Sequence, residues 1–431
     1  MKFFKMHIDL EKDKLIVEKK LNKIQKLYDY IIIGSGPAAS VILNNLIKTK
    51  KKILVLERGG FKQKFSEKLV SDNFKIKKDS RIFGVGGTSN TWAQIYSLFS
   101  NDEMCNNNNV NVWPLSHKDL IYWCNKVGPK YKFDIKSLGT QTIYKKNFYS
   151  RGFVELKKPL RFSKYYKNRR FDMITNCKVQ TLDESRNKNS IYFNVRDQVY
   201  SINSKKIIIC AGAVESSLLI INSINDKKLK NLKNKEFIGR YFMDHPKCYV
   251  GEIKFPKKNL IDQFKLKLKK SFNTYKGLSL YQKNQRLLNT YVRFEEKKFF
   301  LRLKKKIFIK IFLEMEPKFK NRIYLKKNSV HINLSISKKE IQISKKLLNS
   351  VKKTFSSKPK QEKLDFKVSD LVDASHHMGG LSYPNIVDKN LKIKGLNNVY
   401  CCSSAIFPTS GSANPTLIIC GLAERLCKFL Q

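Results

Sequence analysis

Acidic residues are scarce in this chain. Asp and Glu number 35 against 86 Lys and Arg, a formal net charge of +51. Such an excess points either to an anionic partner, a membrane surface or a nucleic acid, or to drift in composition, since Lys, Asn and Ile share AT-rich codons and all three abound. The lysines are spread along the whole chain, the habit of a solvated surface. No RNA-binding or zinc-finger signature accompanies them, so no nucleic-acid partner is expected. Long apolar runs are also missing. Without a run of about 18 apolar residues, no transmembrane helix is expected. The start, MKFFKMHIDLEKDK, meets acids too early for a signal peptide. The 9 cysteines form no CxxC pair. Neither a disulfide framework nor a metal site is indicated, and a reducing cytoplasm is the expected compartment. Histidine is rare too, with 6 residues in 431, yet two stand side by side in VDASHHMGG, as His376 and His377.

What is present begins with an ordinary apolar share, 42%, in a chain long enough for two or three domains. Residues 1–27 read as a charged, helical lead-in. Then comes YDYIIIGSGPAASVILNNLIKTKKKILVLERGG. Residues 28–33 form an isoleucine-rich run of the kind that makes a buried parallel strand. Gly34 and Gly36 follow as a tight turn, and Pro37 suits the first turn of a helix, which runs through Leu46. KKILVLE is a second buried strand ending at Glu57. This spells a βαβ unit of the dinucleotide-binding type, with Ala39 at the third fingerprint position. The glycines admit a pyrophosphate, the helix N-terminus offers it N–H groups, and Glu57 is placed to accept from a ribose. An acid there favours a free 2′-hydroxyl, hence FAD or NAD.

Two more glycine turns bear on that choice. RIFGVGGTSNTW (81–92) carries Gly84, Gly86 and Gly87, too close to the first unit to begin another. SKKIIICAGAVESSLLIINS (204–223) is a buried strand, then Ala211, Gly212 and Ala213, then a helix. Several widely spaced turns around one nucleotide suit an extended FAD.

These segments resemble the glucose-methanol-choline (GMC) family of flavin oxidoreductases. GSGPAAS…LERGG is similar to the family's ADP-binding start, and GVGGTSNTW to the loop that lies over the flavin ring. WPLSHKDLIYWCNKV (113–127), CAGAVESSLLI, IGRYFMDHP (238–246) and LEMEPKFKNRIYLKKNS (313–329) have family counterparts, and the closest likeness is at the C-terminal end. The resemblance implies an α/β fold: a discontinuous Rossmann-type FAD domain (28–112, 165–245 and 367–431) and a second, α+β substrate domain on an antiparallel sheet (113–164 and 246–366). KCYVGEIKF, IFIKIFLEME and VHINLSIS read as strands of the latter, and KKEIQISKKLLNSVKKTF as an amphipathic helix.

The implied cofactor set follows the same motifs. Gly34, Gly36, Pro37, Ala38, Glu57 and Arg58 come from the first unit. Gly86, Gly87, Thr88, Asn90 and Trp92 come from the second loop. Val179, Ala211, Gly212, Ser404, Pro415 and Thr416 complete it. Thr91 stands where some members attach FAD through a His, so FAD is expected to be bound without a covalent link.

Oxidising an alcohol with a flavin needs a base for the hydroxyl proton, a task suited to neutral imidazole. In the family the base lies in a His-x-x-Gly-Thr pattern. His376, three residues before Gly379, takes that place; His377 then packs or orients, with the reverse assignment left open. The family's following Thr-x-Arg-Met is replaced by GLSYPNIVD, which removes an Arg. Asn414 sits where the family keeps a His or Asn that bonds the substrate oxygen. Asn and Pro415 also suit the cap and first turn of the last helix, whose N-terminus would face the flavin pyrimidine edge. His245 reads as structural or pocket-lining.

The expected activity is FAD-dependent oxidation of the CH–OH group of a sugar, polyol or other alcohol, as a dehydrogenase or oxidase with an open choice of electron acceptor. Two alternatives stand: a non-redox descendant that keeps FAD and binds a glycan or protein, and a basic protein of membrane surfaces or nucleic acid. The footprint of the latter would be KKFFLRLKKKIFIKIF (297–312), though its alternation reads better as a strand with Lys on the wet face, which leaves peripheral membrane contact open.

Overall fold

The computed structural model describes residues 6–431 apart from 25–26, 66–68, 72–74, 107, 109, 139–141, 167–169, 185–188, 197, 258–271, 283–286, 297–306 and 328. Its larger sheet is mainly parallel. The strand Leu27–Ile33 lies at its centre, flanked by Ile53–Leu56 and Gln198–Ile209, all parallel. Ile31, Ile32, Leu54, Val55, Ile207 and Ile208 are fully buried, as a sheet covered on both faces requires. The helix Pro37–Leu46 crosses between the first two strands, with Pro37 in its first turn and Leu46 its last residue. Asp172–Thr175 pairs with Ile53–Leu56, and His7–Asp9 pairs with Asp172–Thr175 at the edge. The lead-in is therefore a three-residue strand followed by the helix Lys14–Leu21, not a helix throughout. Its strand hydrogen-bonds to a segment far along the sequence, which local pattern does not reveal.

The second sheet is antiparallel. Its order runs Lys247–Ile253, Ile307–Phe312, Tyr291–Glu296, Phe272–Leu280, Phe148–Leu156 and Ile95–Tyr96. The helix Lys338–Phe355 backs it, started by a capping box between Ser337 and Glu340. Leu347, Leu348, Val351 and Phe355 form its fully buried stripe, and Phe355 meets Phe148 and Phe294 of the sheet. A buried Phe contributes roughly 1.5–3 kcal/mol, so this contact is a principal tie between layers. The basic segment 297–312 is described only from Ile307. Its strand sends Ile307, Ile309 and Ile311 into the core. Lys310 does not face open solvent but lines the central cavity. Alternation cannot distinguish a wet surface from a polar cavity.

All nine cysteines are free thiols, and all are buried. Among the described residues, no helix is long and apolar enough to cross a membrane.

Candidate active site

A cavity of about 650 Å³ lies between the two sheets. Gly34 has φ +95°, and a Cβ there would stand 2.7 Å from the Cys210 carbonyl oxygen. Only glycine allows this turn to meet the end of the neighbouring strand. A Cβ on Gly36 would project into open space. Gly36 is the N-cap of the helix Pro37–Leu46 and supplies no side-chain cap, which leaves the first-turn N–H groups to serve an anion. Gly34, Gly36, Pro37, Ala38, Glu57, Arg58, Gly87, Thr88, Trp92, Val179, Ala211, Gly212, Ser404, Pro415 and Thr416 all line this cavity.

Gly86 and Asn90 are not among the lining residues. They shape the loop from behind. The Gly86 N–H donates to Ser35 Oγ at 3.0 Å, and the Asn90 amide donates to the Val85 carbonyl at 2.9 Å. Trp92 Nε1 donates to the Leu160 carbonyl at 3.0 Å, which holds its ring at the cavity wall.

Glu57 is buried and heavily engaged. Oε2 accepts the Ser35 N–H at 2.9 Å and the Ser35 hydroxyl at 2.5 Å; Oε1 accepts the N–H groups of Gly59 at 2.9 Å and Gly84 at 3.3 Å. Burial pushes its carboxyl above the ordinary range, against these four donors. Glu57 thus clasps three loops. A ribose hydroxyl can share this carboxylate if the Ser35 hydroxyl yields its place. Arg58 and Arg81 both pair with Glu215, and Arg58 lies 4.0 Å above the Phe83 ring.

At the other end of the cavity three chain segments meet. His376 Nδ1 lies 2.9 Å from His245 Nδ1, and His376 Nε2 lies 2.9 Å from Asn414 Nδ2. His245 Nε2 faces only carbonyl oxygens, Gly411 at 2.9 Å and Ser410 at 3.2 Å. A carbonyl accepts, so this nitrogen carries a proton. Neutral His245 then has its lone pair on Nδ1, and His376 must donate to it from its own Nδ1. The lone pair of His376 is thereby placed on Nε2, toward the Asn414 amide and the cavity. Burial lowers the proton affinity of both rings, and for His376 the neighbouring His245 and Lys247 add to it. Burial thus favours the neutral form of both rings.

The loop carrying His376 is fixed by Asp244, which is fully buried. Its Oδ1 accepts the His376 N–H at 2.8 Å, and its Oδ2 accepts that of Ala374 at 2.7 Å. Between them Ser375 adopts φ +63°, a conformation that costs about 1–3 kcal/mol and is held by the two bonds. Gly379 has φ +80°, and a Cβ there would stand 2.0 Å from the Tyr241 carbonyl oxygen, so this loop has no room for a side chain. His377 also lines the cavity; its Nε2 is 3.5 Å from Asp373 Oδ2. The carbonyls that orient His245 are fixed in turn. Glu103 Oε1 accepts the Ser412 N–H at 2.7 Å, and Arg151 donates to the same carboxylate at 2.8 Å.

Asn414 occupies the N-cap of the helix Pro415–Leu430, but its side chain makes no capping bond. It turns to His376 instead, so a site contact overrides the local capping preference. His245 does not line the cavity: it stands behind His376 and sets which nitrogen of that ring is basic. Its adjacency to Asp244 in FMDHP was the available signal, but the meeting of residues 245 and 376 is made by topology.

Residues 318–423 match the family model described as GMC oxidoreductase, C-terminal domain. In this segment the chain is similar to GMC oxidoreductases. The fold is similar to that in the crystal structure of pyridoxine 4-oxidase from Mesorbium loti, with a TM-score of 0.61 at 12% identity, covering 93% of this chain and 99% of that one. No curated protein sequence matches the chain. The matched GMC segment contains His376, His377 and Asn414 and the glycines that pack their loops.

Proposed function

We propose that the chain is an FAD-dependent oxidoreductase acting on a CH–OH group, with His376 as the base. The observation that carries this reading is the line from the Gly411 carbonyl through His245 to His376 and Asn414, ending with a lone pair inside a glycine-walled cavity. The residues fit the cofactor: a turn that admits close backbone approach, an uncapped helix start, and a long cavity leading to a neutral base. When bound, FAD supplies the acceptor for the hydride that leaves the carbinol carbon.

The chain's own residues do the rest. His376 Nε2 takes the hydroxyl proton while the C–H bond breaks, so an alcohol becomes a carbonyl with loss of one proton and one hydride. The Asn414 amide donates to the same oxygen and holds it beside Nε2. That oxygen replaces the direct contact between the two side chains. The first turn of the last helix presents N–H groups, from Thr416 onward because Pro415 has none, toward negative charge on the cofactor. Thr91, which has no side chain able to form a flavin link, leaves the cofactor non-covalent.

The test is anaerobic bleaching of the yellow protein by a panel of alcohols that includes sugars, polyols and pyridoxine, the compound named for the structural neighbour. Bleaching by at least one establishes the reading. A protein that binds no flavin, or flavin that no alcohol reduces, overturns it in favour of a non-redox role.

A further inference from the structure

The antiparallel sheet presents two rows of side chains to the cavity. In one row Phe312 lies between Lys247 and Tyr291. In the next, Lys310 lies between Arg293, which also lines the cavity, and Tyr249, which does not. Lys310 and Phe312 are two residues apart and share a face. Lys247, Arg293 and Lys310 all line the cavity that holds His376 and Asn414. The three cations surround one ring: the centroid of Phe312 is 5.8 Å from Lys247 Nζ, 5.8 Å from Lys310 Nζ and 5.0 Å from Arg293 Cζ. Tyr291 stacks on that ring at 4.8 Å.

This concentration differs from the solvated lysines elsewhere. Lys247 and Lys310 are only partly exposed. Arg293 has a partner in Glu295 at 2.9 Å, and Tyr249 donates to the same carboxylate at 2.6 Å. Among the described residues neither Lys247 nor Lys310 forms an ion pair. Burial pushes Lys247 down to about 8, Lys77 and Lys310 add to this, and Asp244 and Asp373 oppose it. Both Asp244 oxygens already accept backbone N–H groups, and Asp373 accepts the Lys77 N–H at 2.8 Å. Like charges gathered in a half-enclosed cavity repel one another, and an anion among them relieves that cost.

We propose that this wall binds an anionic group of the substrate, so that the alcohol reaching His376 carries a carboxylate or a phosphate. The hydroxyl's oxidation rests on the function proposed above; the anion's binding rests on Lys247, Arg293 and Lys310 alone.

The two are separable by experiment. Flavin-loaded protein, in which the cofactor already fills the phosphate-binding turn, is titrated calorimetrically with inorganic phosphate and with matched pairs, glycerol against glycerate and glucose against glucose 6-phosphate. The variants are Lys247→Met, Lys310→Met, their combination, and Lys310→Arg as the charge-retaining control. In the parent, phosphate and at least one anionic member should bind, the latter roughly 10-fold or more tighter than its neutral twin, the scale of one charge-assisted contact. The double variant should lose that preference, Lys310→Arg should keep it, and flavin content should not change. No preference in the parent, or one that survives in the double variant, overturns the proposal. Loss of flavin from the Met variants also overturns it, because it assigns the cations to the cofactor. Anion preference without bleaching by any alcohol keeps the wall and refutes the oxidation reading. Bleaching by neutral alcohols as fast as by anionic ones does the reverse.

Discussion

His245 and His376 face each other through their Nδ1 atoms, 2.9 Å apart. Two nitrogens at this distance share one proton, and the carbonyls of Gly411 and Ser410 decide which ring holds it. In the function proposed above, His376 is the base and His245 positions it.

His376→Ala should slow substrate-driven flavin reduction by roughly 10²–10⁴-fold, the usual reach of a general base. Flavin content should hold, because the glycine turns proposed to hold the nucleotide do not include His376. Anaerobic stopped-flow bleaching measures the first and absorbance of the purified protein the second. His377→Ala should do less. A fast His376→Ala beside a dead His377→Ala would transfer the role.

His245→Ala should slow reduction and also move its pH profile. His245 is one of the groups that depress the proton affinity of His376. Removing it should shift the acid limb of kcat/KM to higher pH. A purely structural role for His245 would lower activity without moving that limb.

The same lowered affinities predict an acid weakness of the fold. Unfolded histidines take up protons near pH 6.5, whereas native His245 and His376 resist until lower pH. The unfolded state therefore binds more protons over that window, and stability falls as pH drops from about 6.5 toward the native values. Replacing His376 with Gln should flatten this part of the urea-stability profile. An unchanged slope would mean that His376 is protonated in the native protein.

Glu57→Ala should weaken flavin retention and, because of the clasp, also destabilise the protein. The substitution strands the N–H groups of Ser35, Gly59 and Gly84. Each hydrogen bond to a charged group contributes about 1.5–3 kcal/mol, so the combined loss should be visible in denaturant midpoints of the flavin-free protein. A variant as stable as the parent would show that the clasp contributes nothing.

Arg151→Met should be among the most damaging changes away from the cavity. It leaves the fully buried Glu103 without its cation, a loss of about 3–5 kcal/mol for a broken buried pair. It should also loosen Ser412, held by the same carboxylate, and with it the neighbouring carbonyls that orient His245. Thermal unfolding checks the first effect and flavin reduction the second; full stability would contradict the pairing.

Much of this was legible in sequence. The Tyr28 to Glu57 unit announces itself because each of its parts is local: a buried run, a glycine turn, Pro at a helix start, a second buried run. The helix Lys338–Phe355 is legible for the same reason. What local pattern cannot carry is which distant residues meet. His245 and His376 are 131 positions apart, and neither neighbourhood indicates the other. Asn414 reads as a cap by propensity, yet a tertiary partner takes its side chain. Lys310 alternates with isoleucines as an exposed residue would, and only the cavity opposite reveals its surroundings.

The buried thiols give the molecule a built-in reporter. Every cysteine is both reduced and enclosed, and burial raises the thiols at 248, 401 and 427 to about 12, so few thiolates form near neutral pH. A maleimide added to the native protein therefore waits for a segment to open. Cys177 and Cys210 line the cavity, whereas Cys420 and Cys427 lie on the last helix. The order in which mass spectrometry finds them modified would chart which wall of the protein breathes first, with no label introduced by mutation.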